Sequence, residues 1–153
     1  MRSMIYLQGW HHWLCQRELN DEVVMFDHGP IYRLALLREF GPELTRSARF
    51  QSWWNSELRH WASRLELIIW LDAPDAILLQ RINKRLESHQ IKGKPDGQAC
   101  GFLARYRASY DITMRKIQLE NAVPVLKFDT GKKTLAEIIK NISVASEIET
   151  VTC

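Results

Sequence analysis

The chain has 153 residues, enough for one domain with a core of its own, and at 46% hydrophobic and 25% charged it has the composition of an ordinary globular protein. Its 21 basic and 18 acidic residues are interleaved and leave a formal net charge of +3, which argues against a dedicated nucleic-acid surface. No apolar run approaches the roughly 20 residues of a membrane helix, MRSMIYLQGWHHWLCQRELN lacks the apolar centre and cleavage site of a secretory signal, and Cys15, Cys100 and Cys153, widely spaced with no CxxC pattern, fit a reducing cytoplasm rather than a disulfide framework or a zinc site.

In chain order, IYLQGWHHWLCQRELNDE reads as a helix leading to a first strand. His11 and His12 are adjacent, so they do not share a helix face as a metal pair would, and no metal site is expected there even with Cys15 nearby. VVMFD (23–27) is apolar and β-branched at its start and runs into His28, Gly29 and Pro30. IYRLALLREF (31–40) predicts a helix stopped by Gly41-Pro42. Phe50, Trp54, Leu58, Trp61 and Leu65 then recur at steps of three and four, one face of a further helix. LELIIWLDA (65–73) is the second predicted strand. Asp75 to Ser88 follows Pro74 as a helix with Ala76, Leu79, Ile82 and Leu86 on one stripe. SHQIKGKPDGQACG (88–101) carries two lysines, a proline and three glycines and reads as a flexible basic flap. Phe102, Tyr106, Tyr110, Met114 and Ile117 form another helical stripe. VPVLKFDT (123–130) is the third predicted strand. Thr134 to about Ser146 is the last helix, with Leu135, Ile138, Ile139 and Ile142 facing inward.

Near-continuous apolar strands alternating with helices predict a parallel sheet in an α/β fold, in a single domain over 1–153. Ligands of open α/β sheets bind outside the carboxyl ends of the strands, and Asp27, Asp72 and Asp129 all fall at such ends. Asp27 has two readings: a base or magnesium-organising carboxylate, or a helix N-cap, with Pro30 at the first turn agreeing with the second. Asp72, followed by Ala73-Pro74-Asp75, is expected to launch the next helix. Arg81 and Arg85 stand four apart on one helix face leading into the flap, and FLARYRASYD supplies Arg105 and Arg107 beyond it. Cations on both arms of a flap suit an anionic ligand such as a transferring phosphoryl group. The competing reading is a solvated charged helix face.

LDAPDAILLQRINKR resembles the strand and helix that begin the lid of thymidylate-kinase-like nucleotide kinases, where a strand ends in L-D-x-P and the next helix carries L-x-R-I-x-x-R. VVMFDHGP is similar to the superfamily strand that ends in Asp followed by Arg or Gln, here His28, and within the superfamily the closest likeness is to P-loop proteins with a DxGP strand end. FDTGKKTLAEI resembles the last strand and the loop near the adenine of ATP. The three blocks keep the family's order over about residues 20–145. The resemblance implies a three-layer α/β/α fold with a short parallel sheet and a helical lid at about 81–107. It implies ATP and magnesium as cofactors of the full-length relative, and a small-molecule acceptor, a nucleotide among the candidates. Asp27 would organise the acceptor or the magnesium shell, with Arg81 and Arg85 at the lid base near the transferred phosphate. Lys92, Lys94, Arg105 and Arg107 would be lid cations, Thr130 and Gly131 would lie near the adenine ring, and Arg46 and Arg49 would face the acceptor.

One part of the family pattern is missing. The chain has no G-x-x-x-x-G-K-[ST] loop, whose backbone N–H groups cradle phosphates; GKKT (131–134) follows the last strand and lacks the upstream glycine. The family places the strand of that loop between those matching 23–27 and 65–73, so here the two strands must close up or leave a groove. The expectation is a kinase-like chain truncated at its N-terminus, or a degenerate relative, with little or no kinase activity alone. The alternative is a non-catalytic scaffold or regulatory binding protein that keeps the sheet and lid. A homodimer stays open as its assembly, and neither a membrane nor a nucleic acid is an expected partner.

Overall fold

The computed structural model describes residues 2–17 and 22–150, with side chains to residue 145. The chain is mostly helical with a short two-stranded parallel sheet. Its residues sort into two units, Met1–Glu66 with Ala104–Val123, and Leu67–Leu103 with Pro124–Cys153.

The first unit is helical. Helix α1 (Arg2–Cys15) buries Leu7 and Leu14, two turns apart on one stripe. Helix α2 (Pro30–Phe40) opens on Pro30, whose fixed φ and missing N–H suit a first turn. It buries Ile31, Leu34, Ala35 and Leu37. A 3₁₀ turn (Glu43–Arg46) leads to α3 (Ala48–Ala62), capped by Ser47, whose Oγ accepts a hydrogen bond from the Phe50 N–H at 3.2 Å. The predicted face holds over its first four residues, with Phe50, Trp54, Leu58 and Trp61 all buried, whereas Leu65 lies beyond the end of α3 and is half-buried. The Trp54 indole donates to the Leu34 carbonyl at 3.0 Å and so fastens α3 to α2. The later turns of α5 (Asp96–Asn121) add Met114 and Ile117 to this core. They also add Ser109 and Thr113, which the apolar stripe passed over. These hydroxyls can be buried because they donate to the carbonyls of Ala35 and Ser109 at 2.8 Å. The predicted stripe residues Phe102, Tyr106 and Tyr110 are only half-buried.

The predicted strand at 23–27 does not form. Residues 22–26 have no regular structure, and Val23 and Met25 are 91% and 78% exposed. Phe26 is anchored, its ring 5.3 Å from Trp10 and 5.6 Å from Trp61. Apolar, β-branched composition favours a strand only where a neighbouring strand supplies the ladder, and no strand pairs with this segment.

The second unit carries the sheet. Strands β1 (Ile68–Asp72) and β2 (Val125–Asp129) pair in parallel, in register from Ile68↔Val125 to Asp72↔Asp129. The Thr130 N–H extends the ladder to the Asp72 carbonyl at 2.7 Å. Helix α4 (Asp75–Lys84) stops four residues short of the predicted end, and Leu86 is 98% exposed. Ile82, Ile91, Ala99 and Leu103 make a buried cluster, with Leu78, Leu79 and Phe102 against it.

The predicted flap is therefore more structured than its glycines implied. Ile91 is buried within it, and α5 already begins at Asp96, with the Pro95 carbonyl accepting from Gln98 and Ala99 N–H at 2.9 and 3.0 Å. Pro-Asp-Gly here is a helix start rather than a turn. Helix α6 (Leu135–Thr150) buries Ile138 but leaves Leu135 and Ile139 exposed, so the predicted inward stripe is narrower than expected. Among the described residues no helix is long and apolar enough to cross a membrane.

Candidate functional site at the carboxyl end of the parallel strands

Both strands of the second unit end on Asp, and the two carboxylates hold turns. Asp72 Oδ1 accepts from the Ala73 N–H at 2.8 Å, and Asp129 Oδ1 accepts from the Gly131 N–H at 2.8 Å. The Asp129 carbonyl also accepts from the Lys132 and Lys133 N–H groups at 3.1 and 2.9 Å. Asp72 thus acts as the sequence implied, as the residue that turns the chain toward α4. These bonds fold the 129–133 segment tightly over the tip of β2.

Onto that loop α4 projects Arg81. One guanidinium nitrogen donates to Thr130 Oγ1 at 2.7 Å and the other terminal nitrogen to the Thr130 carbonyl at 2.9 Å. A planar fork with two parallel donors fixes both the side chain and the loop it grips. Gly131 is needed beside it, because a Cβ there would meet Ile77 Cδ1 at 2.6 Å and Pro74 Cδ at 3.1 Å. The structure therefore brings three sequence-predicted residues together: Arg81, Thr130 and Gly131. Lys132 adds a cation 3.8 Å from Asp129.

Of the other predicted lid residues of this unit, Lys92 has its ammonium tied to the chain itself, and Arg85 and Lys94 contribute backbone groups. The Arg85 carbonyl accepts the Lys92 ammonium. The Lys92 and Lys94 N–H groups each donate to a carbonyl three residues back, His89 and Ile91, at 3.1 Å. The Gly93 N–H donates to Asn83 Oδ1 at 3.1 Å. Arg85 and Lys94 are exposed, and Lys92 is half-buried.

In the first unit Asp27 is not a helix cap. The N-cap of α2 is Gly29, with no side-chain cap bond. Asp27 is 97% exposed at its side chain, with Oδ2 3.4 Å from His28 Nδ1. His28 sits in the left-handed region at φ 49, a conformation that costs a non-glycine residue about 1 kcal/mol or more. Its ring meets Tyr32 edge-on at 4.7 Å, and Tyr32, Tyr106 and Tyr110 continue as a chain of ring contacts at 5.9 and 5.4 Å. Burial, reinforced by the neighbouring phenols, pushes the Tyr106 hydroxyl far above its ordinary value, and burial pushes Tyr110 up to about 12. Both are neutral hydrogen-bonding groups at physiological pH. This strained aromatic cluster escaped sequence reasoning, although Tyr106 and Tyr110 at i and i+4 were visible as core positions.

Arg105 pairs with Glu39, Nε to Oε1 at 2.6 Å, and lies over the Phe40 ring at 5.0 Å. Its charge is committed within the unit, and Glu39 is the partner that the sequence did not reveal. Arg107 is half-buried, and Arg46 and Arg49 are exposed, on the 3₁₀ turn and at the start of α3. Among the described residues no group of three or more His, Cys, Asp or Glu could hold a metal ion. Asp27 with its single imidazole partner does not supply a magnesium site by itself. No protein-family model, curated protein or solved structure matches this chain.

Proposed function

We propose that the chain is a fragment or degenerate member of the thymidylate-kinase-like P-loop phosphotransferases, contributing strand tips and lid to ATP-dependent phosphoryl transfer onto a small acceptor. The three-layer fold of that family belongs to the same proposal. The observation that carries it is the Arg81 fork on Thr130 at the carboxyl ends of two adjacent parallel strands. That end of a parallel sheet is where ligands collect. The fork presents a flat guanidinium next to a glycine loop, a surface that suits the face of a purine ring. The lack of a strand at 22–26 also agrees with the reading, since in the family the strand of the phosphate loop would lie between that segment and β1.

Within this reading Arg81 is a positioning residue for the 129–133 loop, and Arg85 and Lys94 are further exposed cations of the same unit. In that family a cradle of backbone N–H groups in a G-x-x-x-x-G-K-[ST] loop holds the phosphates, and the sequence lacks that motif. Magnesium, bound with ATP in the full-length relative, would supply charge neutralisation at the phosphates, and Asp27 is the carboxylate that would face its shell.

The test has two parts. Purified chain is incubated with ATP, magnesium and a panel of nucleoside monophosphates and sugars, and ADP release is followed. No turnover is expected, and turnover at ordinary enzyme rates would overturn the fragment reading. Two-dimensional amide NMR with millimolar ATP is the second part. Shifts at Thr130, Gly131 and Ile77 are expected. A spectrum unchanged at those amides would overturn the kinase reading and favour the non-catalytic scaffold.

A further inference from the structure

A second cluster lies wholly in the first unit, on α1 and α3, and takes no part in the proposal above. Cys15 is exposed at the last turn of α1. One turn earlier on the same face, His11 brings Nε2 to 3.7 Å from the Cys15 Sγ. From just beyond α3, Arg64 donates a guanidinium N–H to that sulfur at 3.2 Å. The His11 ring stacks on His60 at 5.0 Å with 16° between the planes. Behind His60, at 3.9 Å, stands Glu57, 4% exposed, with one carboxylate oxygen buried and without a hydrogen-bond partner. A thiol, an imidazole and a guanidinium are thus brought together from two helices, backed by a buried carboxyl.

We propose that Cys15 is a nucleophilic thiol that is oxidised by small peroxides, with Arg64 stabilising its thiolate and His11 carrying its proton. Thiolates are favoured beside cations and attack soft electrophiles. The C-terminal end of α1 opposes a thiolate, since it carries roughly half a negative charge. Arg64 sets a full cation in direct contact with the sulfur against that partial charge. Burial, with His60, Arg64 and His12 nearby, holds the His11 imidazole below its ordinary value, so the neutral ring that can take a proton prevails at neutral pH and passes that proton on readily. His12 itself is engaged with Gln16 at 2.9 Å.

The step balances. His11 takes the thiol proton. The sulfur attacks one peroxide oxygen, an S–O bond forms and the O–O bond breaks. The leaving oxygen takes the electron pair and the proton from His11, and departs as water when the oxidant is hydrogen peroxide. Sulfur loses two electrons, the peroxide gains them, and the product is a sulfenic acid.

Full-length chain is treated with hydrogen peroxide, sulfenic acid is trapped with dimedone, and the labelled cysteines are quantified by peptide mass spectrometry. Cys100, half-buried, serves as an internal reference. Labelling of Cys15 is expected to be about tenfold or more faster than in the same chain unfolded in urea, and faster than at Cys100. Arg64→Gln, at an exposed position, should lower the rate several-fold, whereas Arg64→Lys, which keeps a cation, should restore most of it. His11→Gln should slow the reaction at pH 7 with the helical circular dichroism unchanged. Equal labelling of Cys15 in folded and unfolded chain, or equal rates in wild type and Arg64→Gln, would overturn the proposal.

Discussion

Replacing Arg81 by Met keeps most of the side-chain bulk of α4 and removes the fork on Thr130. Two hydrogen bonds are lost, at 2.7 and 2.9 Å. A net hydrogen bond contributes about 0.5–1.5 kcal/mol, more when charged and buried, and Arg81 is exposed. The lower range therefore applies to each, and the pair is worth roughly 2 kcal/mol. The effect should be local. The Thr130 N–H, bonded to the Asp72 carbonyl at 2.7 Å, closes the ladder beneath the fork, so its hydrogen exchange reports whether the loop opens. A loss of 2 kcal/mol corresponds to about 30-fold faster exchange at Thr130, with amides of the first unit unchanged. A double-mutant cycle with Thr130→Val isolates the Oγ1 bond, for which a coupling of about 0.5–1.5 kcal/mol is expected. Less than threefold acceleration at Thr130 together with zero coupling would show that the fork does not hold the loop.

Three further outcomes can be checked directly. Trp54→Phe removes the indole donor and leaves the Leu34 carbonyl buried and unpaired, besides leaving a void, so a loss of roughly 2–4 kcal/mol is expected, read as a Tm drop of about 6–12 °C. Gly131→Ala forces a methyl against Pro74 and Ile77 and should cost about 1–3 kcal/mol in urea denaturation; a neutral result would mean that the loop shifts freely. Burial holds the Glu57 carboxyl above its ordinary 4.5, against the smaller opposing pull of His60 and Gln8. The folded chain therefore keeps this proton to higher pH than the unfolded chain, and the stability it contributes is full below 4.5 and lost as pH rises through the raised value. Glu57→Gln should flatten that decline, so parallel stability curves for the two proteins between pH 4 and 7 would contradict it.

Strand β1 and strand β2 were legible because their apolar runs are dense and each closes on Asp, with Pro74 or Gly131 two residues beyond it. VVMFD carries the same local pattern and is no strand, since pairing depends on a partner elsewhere in the chain and a window of five residues contains no such information. Pro95-Asp96-Gly97 was ambiguous for a different reason: the same three residues open a turn or a helix, and the buried contacts of Ile91, Ala99 and Leu103 decide between them. At the candidate site, Arg81 and Thr130 were both visible as residue types, but their pairing spans 49 positions and could only be seen in the fold. The His11–Cys15 pair lay within reach at helical spacing, masked by the adjacent His12. His60 of α3 and Arg64 just beyond it join the pair from some 50 positions away, beyond any local pattern.

The ladder between Ile68 and Val125 joins residues 57 positions apart, from 68 to 125. Closing so long a loop costs on the order of 3.6 kcal/mol of chain entropy before the first rung forms, and five residue pairs return only a modest gain. On a translating ribosome β1 waits, edges bare, until Val125–Asp129 has been made. What protects it in that interval is what the neighbouring helices can fold over it, which makes IIWLD a segment open to self-association during synthesis and a natural ligand for holding chaperones.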